Sequence, residues 1–117
     1  MPDESFSLEQ QSAAGQQVLR ARGPLTLANL FAFQNAVRDL RGQNIVVDLA
    51  GVPYVDSAGL GALVNGLVSA QRNGGRFLLA GVVPRVRDLL QLTKVDSLFS
   101  YYATAEEALA ALAQASA

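Results

Sequence analysis

The stretch "NIVVDLAGVPYVDSAGLGALVNGLV", residues Asn44 to Val68, joins a strand-like run to a helix-like run and decides the fold. Its first part, "NIVVDLA" (Asn44–Ala50), is a largely apolar run rich in β-branched residues, which is typical of a central strand buried on both faces. Its second part repeats apolar residues at helical spacing: Leu60, Leu63, Val64, Leu67 and Val68. A strand followed by a helix predicts a parallel sheet with right-handed crossovers.

The same alternation extends along the rest of the chain. Besides Asn44–Ala50, strands are predicted at Phe6–Ser12, Gln16–Arg22, Arg76–Gly81 and Ser97–Tyr102. Further helices are predicted over about 27–41 with Thr26 as N-cap, from Pro84, and from Thr104 with Glu107 in capping-box spacing. We therefore predict an α/β fold: a mixed sheet of four to five strands, with about four helices packed mainly on one face. We expect a single domain over 1–117 with an ordered core of about 5–112.

Composition excludes several classes of function. The nine basic and ten acidic residues give a net charge of −1, and the arginines are scattered along the sequence, so direct nucleic-acid binding is not expected. The chain has no histidine and no cysteine, which removes the imidazole base of serine hydrolases and the usual zinc ligands. We expect no catalytic residues, no metal and no cofactor. The polar, acidic N-terminus and the short apolar runs predict a cytoplasmic protein without signal peptide or membrane insertion.

Two weaker site patterns can be set aside. The "GLG" of Gly59–Gly61 would need a further glycine three residues on to match a dinucleotide-binding fingerprint, and Val64 occupies that place. Asp48 and Asp56 are candidates for the same end of the sheet, but two carboxylates alone would make a weak metal site. Strand-end hydrogen bonding and helix capping explain both aspartates better.

The segment "DSAGLG" (Asp56–Gly61) lies where the central helix begins, and either Asp56 or Ser57 is placed to be its N-cap. Capping does not explain Gly59 and Gly61, since each glycine costs a helix interior roughly 1 kcal/mol relative to alanine. Small residues there would let another surface approach the backbone N–H groups. Because a helix N-terminus attracts anions, the helix would tolerate a phosphate on Ser57, whereas an acidic partner would be repelled by it.

The segment "NIVVDLAGVPYVDSAGLGALV" (Asn44–Val64) resembles the signature of STAS domains, especially that of the bacterial anti-sigma factor antagonists. The downstream segment Gly74–Leu112, which contains "LLQLTKVDSLF", is similar to the rest of that domain. The "GPLT" of Gly23–Thr26 stands where such proteins usually have Gly-x-Leu-Asp. The resemblance covers nearly the whole chain and implies a STAS fold with a cytoplasmic, regulatory and non-enzymatic function.

In antagonists of this type, a serine at the start of the second helix is phosphorylated by a partner anti-sigma factor that is itself a serine kinase. The unphosphorylated form binds that kinase and releases the sigma factor, and a metal-dependent serine phosphatase resets the switch. The resemblance therefore implies that Ser57 is the phosphoacceptor. It also implies a partner-binding surface formed by Thr26, Asp56, Ala58, Gly59, Leu60 and Gly61.

Three residues depart from the usual pattern of the family. Ala58 stands where many members have a second serine or a threonine, so either Ser57 accepts the phosphate or the site is silent. Thr26 replaces an aspartate, which changes the charge offered to a kinase, and Lys94 replaces a glycine near a helix end. STAS domains also serve as accessory subunits of membrane transporters, including lipid-transport ATP-binding cassette systems. The alternative interpretation is therefore a subunit that binds an ATPase without being phosphorylated.

Overall fold

The computed structural model describes residues 5–115. Within them the strands are β1 (Ser7–Ala13), β2 (Gln16–Arg22), β3 (Ile45–Gly51), β4 (Phe77–Ala80) and β5 (Ser100–Tyr102). The α-helices of the same residues are α1 (Leu30–Asp39), α2 (Ser57–Arg72), α3 (Pro84–Leu92) and α4 (Ala105–Ala115). The predicted order of strands and helices is confirmed.

The strands form one sheet in the order β1-β2-β3-β4-β5. Only the first pair, β1 with β2, is antiparallel, and every other neighbouring pair is parallel. The β1–β2 hairpin closes over Ala14 and Gly15, whose φ angles of 54° and 80° are those of a two-residue turn that suits the twist of the strands. The predicted mixed sheet is therefore confirmed, with five strands.

Helices cover both faces of this sheet, and β3 shows how. Ile45, Val47 and Leu49 point into a core shared with α1, α2 and α3. Val46, between them, points to the opposite face and packs in a smaller core with residues of α4. Burial on both sides is the physical reason for the apolar residues of β3, which only Asp48 interrupts between Val47 and Leu49. The expected packing mainly on one face is confirmed, and α4 alone covers the other.

The prediction for the first helix was wrong at its start. The expected helix over about 27–41 begins instead at Leu30, and Thr26 is not its N-cap. The N–H of Thr26 donates to Oδ1 of Asn29 at 2.9 Å, and the N–H of Asn29 donates to the carbonyl of Thr26 at 3.0 Å. These two bonds close a turn, so the residues before Leu30 form a loop rather than a first helical turn.

The last strand is also shorter than the predicted Ser97–Tyr102. A 3₁₀ turn, Asp96–Leu98, takes up the first part, and β5 follows it. The carbonyl of Asp96 accepts the hydroxyl of Tyr101 at 2.8 Å and the N–H of Phe99 at 3.3 Å. Because the carbonyl of Asp96 is turned back toward these two donors, the chain extends only from Ser100.

Lys94 closes the C-terminal end of α3 in a conformation that suits glycine. Its φ is 64°, and the N–H of Val95 reaches back to the carbonyl of Leu90 at 3.0 Å. The N–H of Lys94 itself donates to the carbonyl of Gln91 at 3.0 Å. This is the hydrogen-bond pattern in which a helix ends on a left-handed residue, and a side chain there costs about 1–2 kcal/mol.

We predict that Lys94→Gly raises the free energy of unfolding by about 1 kcal/mol, because glycine relieves the strain of the left-handed backbone conformation. The greater freedom of glycine in the unfolded chain offsets only part of this stabilisation. Lys94→Ala is the matched control, since alanine keeps the strain, and its effect should stay within about 0.5 kcal/mol. Urea unfolding of the three proteins measures both values. An equal gain for alanine and glycine would contradict the explanation.

Candidate functional site

The site lies at the start of α2, beyond the carboxyl end of β3. Asp56 is the N-cap, and its Oδ1 accepts the N–H of Gly59 at 2.8 Å. Ser57 is the first helical residue and its side chain is exposed to solvent. Of the two candidate caps, Asp56 therefore takes the capping role, and this leaves the hydroxyl of Ser57 accessible at the helix end.

The carboxylate of Asp56 also holds the loop that precedes α1. Its Oδ2 accepts the N–H of Leu27 at 3.0 Å, so that one side chain joins the helix to a segment 29 residues away in sequence. We call this pair of hydrogen bonds, from Leu27 and Gly59 to Asp56, the Asp56 bridge. The backbone reinforces it, because the N–H of Asp56 donates to the carbonyl of Leu25 at 3.3 Å.

The Asp56 bridge favours the ionised carboxylate. The N–H of Gly59, and after it the N–H of Leu27, lower the pKa of Asp56 below its ordinary value of 3.8. A carboxyl group with a lowered folded-state pKa stabilises the fold above its unfolded-state pKa. The bridge is therefore complete at neutral pH, and its contribution is lost as the pH falls through the lowered pKa of Asp56.

Gly59 lets the start of α2 pack directly against the loop that precedes α1. It is buried, and a Cβ atom on it would lie 2.0 Å from the carbonyl oxygen of Leu25. The idea that both glycines let another protein approach therefore needs correction at Gly59, since the surface that approaches it is the chain's own loop. Gly61 differs, because a Cβ atom there would meet nothing within 4 Å.

Two exposed apolar side chains stand on the segment that the Asp56 bridge holds. Leu27 is 65% exposed and Phe31 is 68% exposed, and they lie four residues apart across the start of α1. We call these two side chains the Leu27–Phe31 patch. The sequence reasoning missed it, although both residues fall outside the buried stripe of Leu30, Phe33 and Val37. Large apolar side chains outside a buried stripe were the available signal.

The other residues expected at the partner surface differ in accessibility. Thr26, Asp56, Ala58, Leu60 and Gly61 are each half-buried. Ala58 and Leu60 pack partly against the main core, so they offer only part of their surface to a partner. The structure brings Thr26 and Asp56 together through the loop between Leu25 and Asn29, and it leaves Ser57 as the most accessible residue of the predicted set.

Asp48 has a structural role of the kind expected. Its Oδ2 accepts the Nε of Arg20 at 3.3 Å and its Oδ1 accepts the N–H of Ala50 at 3.0 Å. Across residues 5–115, no three histidine, cysteine, aspartate or glutamate side chains are grouped so that they could hold a metal ion. In that same part of the chain, no helix is both long enough and apolar enough to span a membrane.

Comparison with known proteins places this geometry in a family. The family model of the STAS domain matches residues 6–108, so the chain belongs to the STAS domain family. A curated protein of Thermotoga neapolitana, named as a candidate anti-sigma factor antagonist, is 34% identical over 96 residues, which cover 79% of this chain and 85% of the relative. Homology thus supports the general function of an anti-sigma factor antagonist, in a family that is generally non-enzymatic.

Solved structures show the same fold. An anti-sigma factor antagonist from Mycobacterium paratuberculosis superposes with a TM-score of 0.83 at 24% identity, over 94% of this chain and 96% of that one. The Bacillus cell fate determinant SpoIIAA in its phosphorylated form superposes with a TM-score of 0.71 at 21% identity, over 92% of this chain and 99% of that one. At these identities the likeness concerns the fold.

We predict that Gly59→Ala destabilises the protein by several kcal/mol, because the new methyl group would displace the backbone of Leu25 and so disturb the Asp56 bridge. Gly61→Ala is the matched control on the same helix. It should be neutral or stabilising by up to about 1 kcal/mol, since its methyl group enters open space and alanine favours the helix. Denaturant unfolding compares them, and equal stabilities would contradict the role assigned to Gly59.

Proposed function

We propose that this protein is an anti-sigma factor antagonist of the cytoplasm whose unphosphorylated form binds an anti-sigma factor serine kinase and so releases a sigma factor. Phosphorylation of Ser57 by that kinase ends the binding, and a metal-dependent serine phosphatase restores it. The protein itself carries no catalytic group in this proposal. Its homology to named antagonists supports the general function, and the geometry at Ser57 supports the particular switch.

The observation that carries the proposal is the exposed hydroxyl of Ser57 at the first position of α2. A kinase must reach this hydroxyl, and no side chain of the core covers it. Leu27 lies on the loop joined to the same helix end and Phe31 lies in the first turn of α1, so the Leu27–Phe31 patch offers apolar contact area to a partner. One protein surface could therefore contact the patch and place its nucleotide near Ser57.

The electrostatics of the site explain how phosphate would end the complex. Phosphorylation adds about −1.5 to −2 charge at the first residue of the helix. Asp56 is ionised beside it at neutral pH, and the Asp56 bridge lowers the pKa of that carboxyl group further. The phosphorylated site would therefore present two neighbouring anions to a partner. An interface formed against the neutral hydroxyl of Ser57 would lose both its close contact and its charge balance.

At least one protein of this fold carries a phosphate, since the Bacillus cell fate determinant SpoIIAA has been solved in a phosphorylated form. In this chain Ala58 supplies no hydroxyl, so Ser57 is the acceptor that the proposal requires. The proposal therefore predicts a single site of modification on α2.

We predict that incubation with its cognate kinase and ATP adds one phosphate to Ser57, and that Ser57→Ala abolishes the addition. Ser57→Asp should weaken kinase binding by about tenfold or more while changing the free energy of unfolding by less than about 1 kcal/mol, because a helix N-terminus accommodates a carboxylate. Intact mass, peptide mapping and binding calorimetry supply the measurements.

Ser97→Ala is the control, since Ser97 is another exposed serine and lies in the 3₁₀ turn after α3. It should be phosphorylated and bound like the original protein. Phosphate on another residue, or unchanged binding by Ser57→Asp, would contradict the switch. Co-purification with a transporter ATPase irrespective of Ser57→Ala would instead support the accessory-subunit interpretation.

A further inference from the structure

A concave surface lies between α1 and α2, away from Ser57. The two helices enclose an open groove of about 650 Å³ whose floor includes Phe33, Ala62 and Gly66. Gln34 and Asn65 stand on its walls and can donate or accept hydrogen bonds. Val68, which is 41% exposed, also lines it and adds an apolar contact. We call this cavity the α1–α2 groove.

Arginines give the lining of the α1–α2 groove a positive charge, and Asp39, which lies next to Arg38 in the sequence, is not part of that lining. Arg38, Arg41 and Arg72 line it, and no aspartate or glutamate does. Among residues 5–115 the ion pairs at 4.0 Å or less both belong to Arg20, so none of the three guanidinium groups is paired with a described carboxylate. Three of nine basic residues thus converge on one groove in a protein whose net charge is −1.

The carbonyl ends of α1 and α2 neutralise part of this positive charge. Arg38 lies in the last turn of α1 and Arg72 in the last turn of α2, where the carbonyl ends of the helices attract cations. Each helix end supplies only about half a negative charge, which is less than the three full charges of the guanidinium groups. Arg41 lies beyond the last residue of α1. The groove therefore keeps a net positive charge for a partner to meet.

The dimensions of the groove suit a short peptide segment. On α2 its lining runs from Ala62 to Arg72, which is about 15 Å at 1.5 Å per helical residue. An extended chain rises about 3.3 Å per residue, so roughly four to five residues would span this length. Val68 lies eleven residues after Ser57, about 16 Å along the helix axis, so a segment held at the Val68 end of the groove need not touch the phosphorylation site.

We propose that the α1–α2 groove is a docking site for a short acidic segment of a partner protein. Carboxylates of the segment would accept hydrogen bonds from Arg38, Arg41 and Arg72, and an apolar side chain next to them would contact Val68. Guanidinium groups suit this task, because each binds a carboxylate through two parallel hydrogen bonds. This surface is separate from Ser57, so a partner can occupy it in either phosphorylation state.

The test is a nuclear magnetic resonance titration of the ¹⁵N-labelled protein with the capped peptide Gly-Glu-Asp-Glu-Leu-Gly. We expect shift changes concentrated on the α1–α2 groove, and weaker binding at higher salt because the contact is electrostatic. The same peptide with Gln and Asn in place of its acidic residues should bind at least about tenfold more weakly.

The double variant Arg41→Glu, Arg72→Glu should also weaken binding of the acidic peptide by about tenfold or more. Arg76→Glu is the matched control, because Arg76 is exposed near the same end of the molecule but does not line the groove, and its effect should stay within about twofold. Because both arginines of the double variant are exposed, we expect its unfolding curve to match that of the original protein.

Three results would overturn the proposal: equal binding of the neutral peptide, an equal loss from Arg76→Glu, or shift changes that avoid the groove. Binding of tripolyphosphate without the acidic peptide would also overturn it, since the groove would then recognise small anions only. Ser57→Asp should leave the titration unchanged within about twofold, so this test and the kinase assay fail independently.

Discussion

The carboxylate of Asp56 is the constraint on which the start of α2 and the loop before α1 depend. One oxygen accepts the N–H of Gly59 and caps α2, while the other accepts the N–H of Leu27 and holds the loop before α1. Both oxygens are thus committed, and Gly59 lets the loop come close because it has no Cβ atom. The arrangement leaves Ser57 exposed to solvent at the start of α2, and the Leu27–Phe31 patch is exposed at the start of α1.

In the proposed function, the Asp56 bridge would connect stability with signalling. A phosphate on Ser57 would lie next to an anion that the fold already requires, so it would change what a partner meets more than it would change the core. Farther along α2 the charge is reversed, because the α1–α2 groove is lined by arginines. In the two proposals, α2 therefore begins at a phosphorylation switch next to the carboxylate of Asp56, and its later turns line a cationic groove suited to an acidic segment. Two partner proteins, or two parts of one partner, could bind these two surfaces separately.

The sequence was sufficient for the fold because its strongest patterns depend on burial. The apolar run of β3 correctly indicated a buried strand. The predicted stripe of α2 is buried at Leu63 and Leu67, whereas Val68 is 41% exposed. The sequence was insufficient where side chains bond to distant backbone. Thr26 looked like an N-cap, but Asp56, 30 positions later in the sequence, takes the N–H of Leu27, and a turn replaces the first turn of the expected helix. Gly59 looked like an outer contact until Leu25 was found against it.

The most direct test of the Asp56 bridge is a pH titration of the side-chain carboxyl carbon of Asp56 by nuclear magnetic resonance, followed together with the backbone amides of Leu27 and Gly59. We predict a pKa for Asp56 below its ordinary value of 3.8, with both amide signals shifting at that same midpoint as their acceptor is protonated. An ordinary pKa, with an amide signal of Leu27 that does not respond to the titration of Asp56, would show that the loop is held by something else.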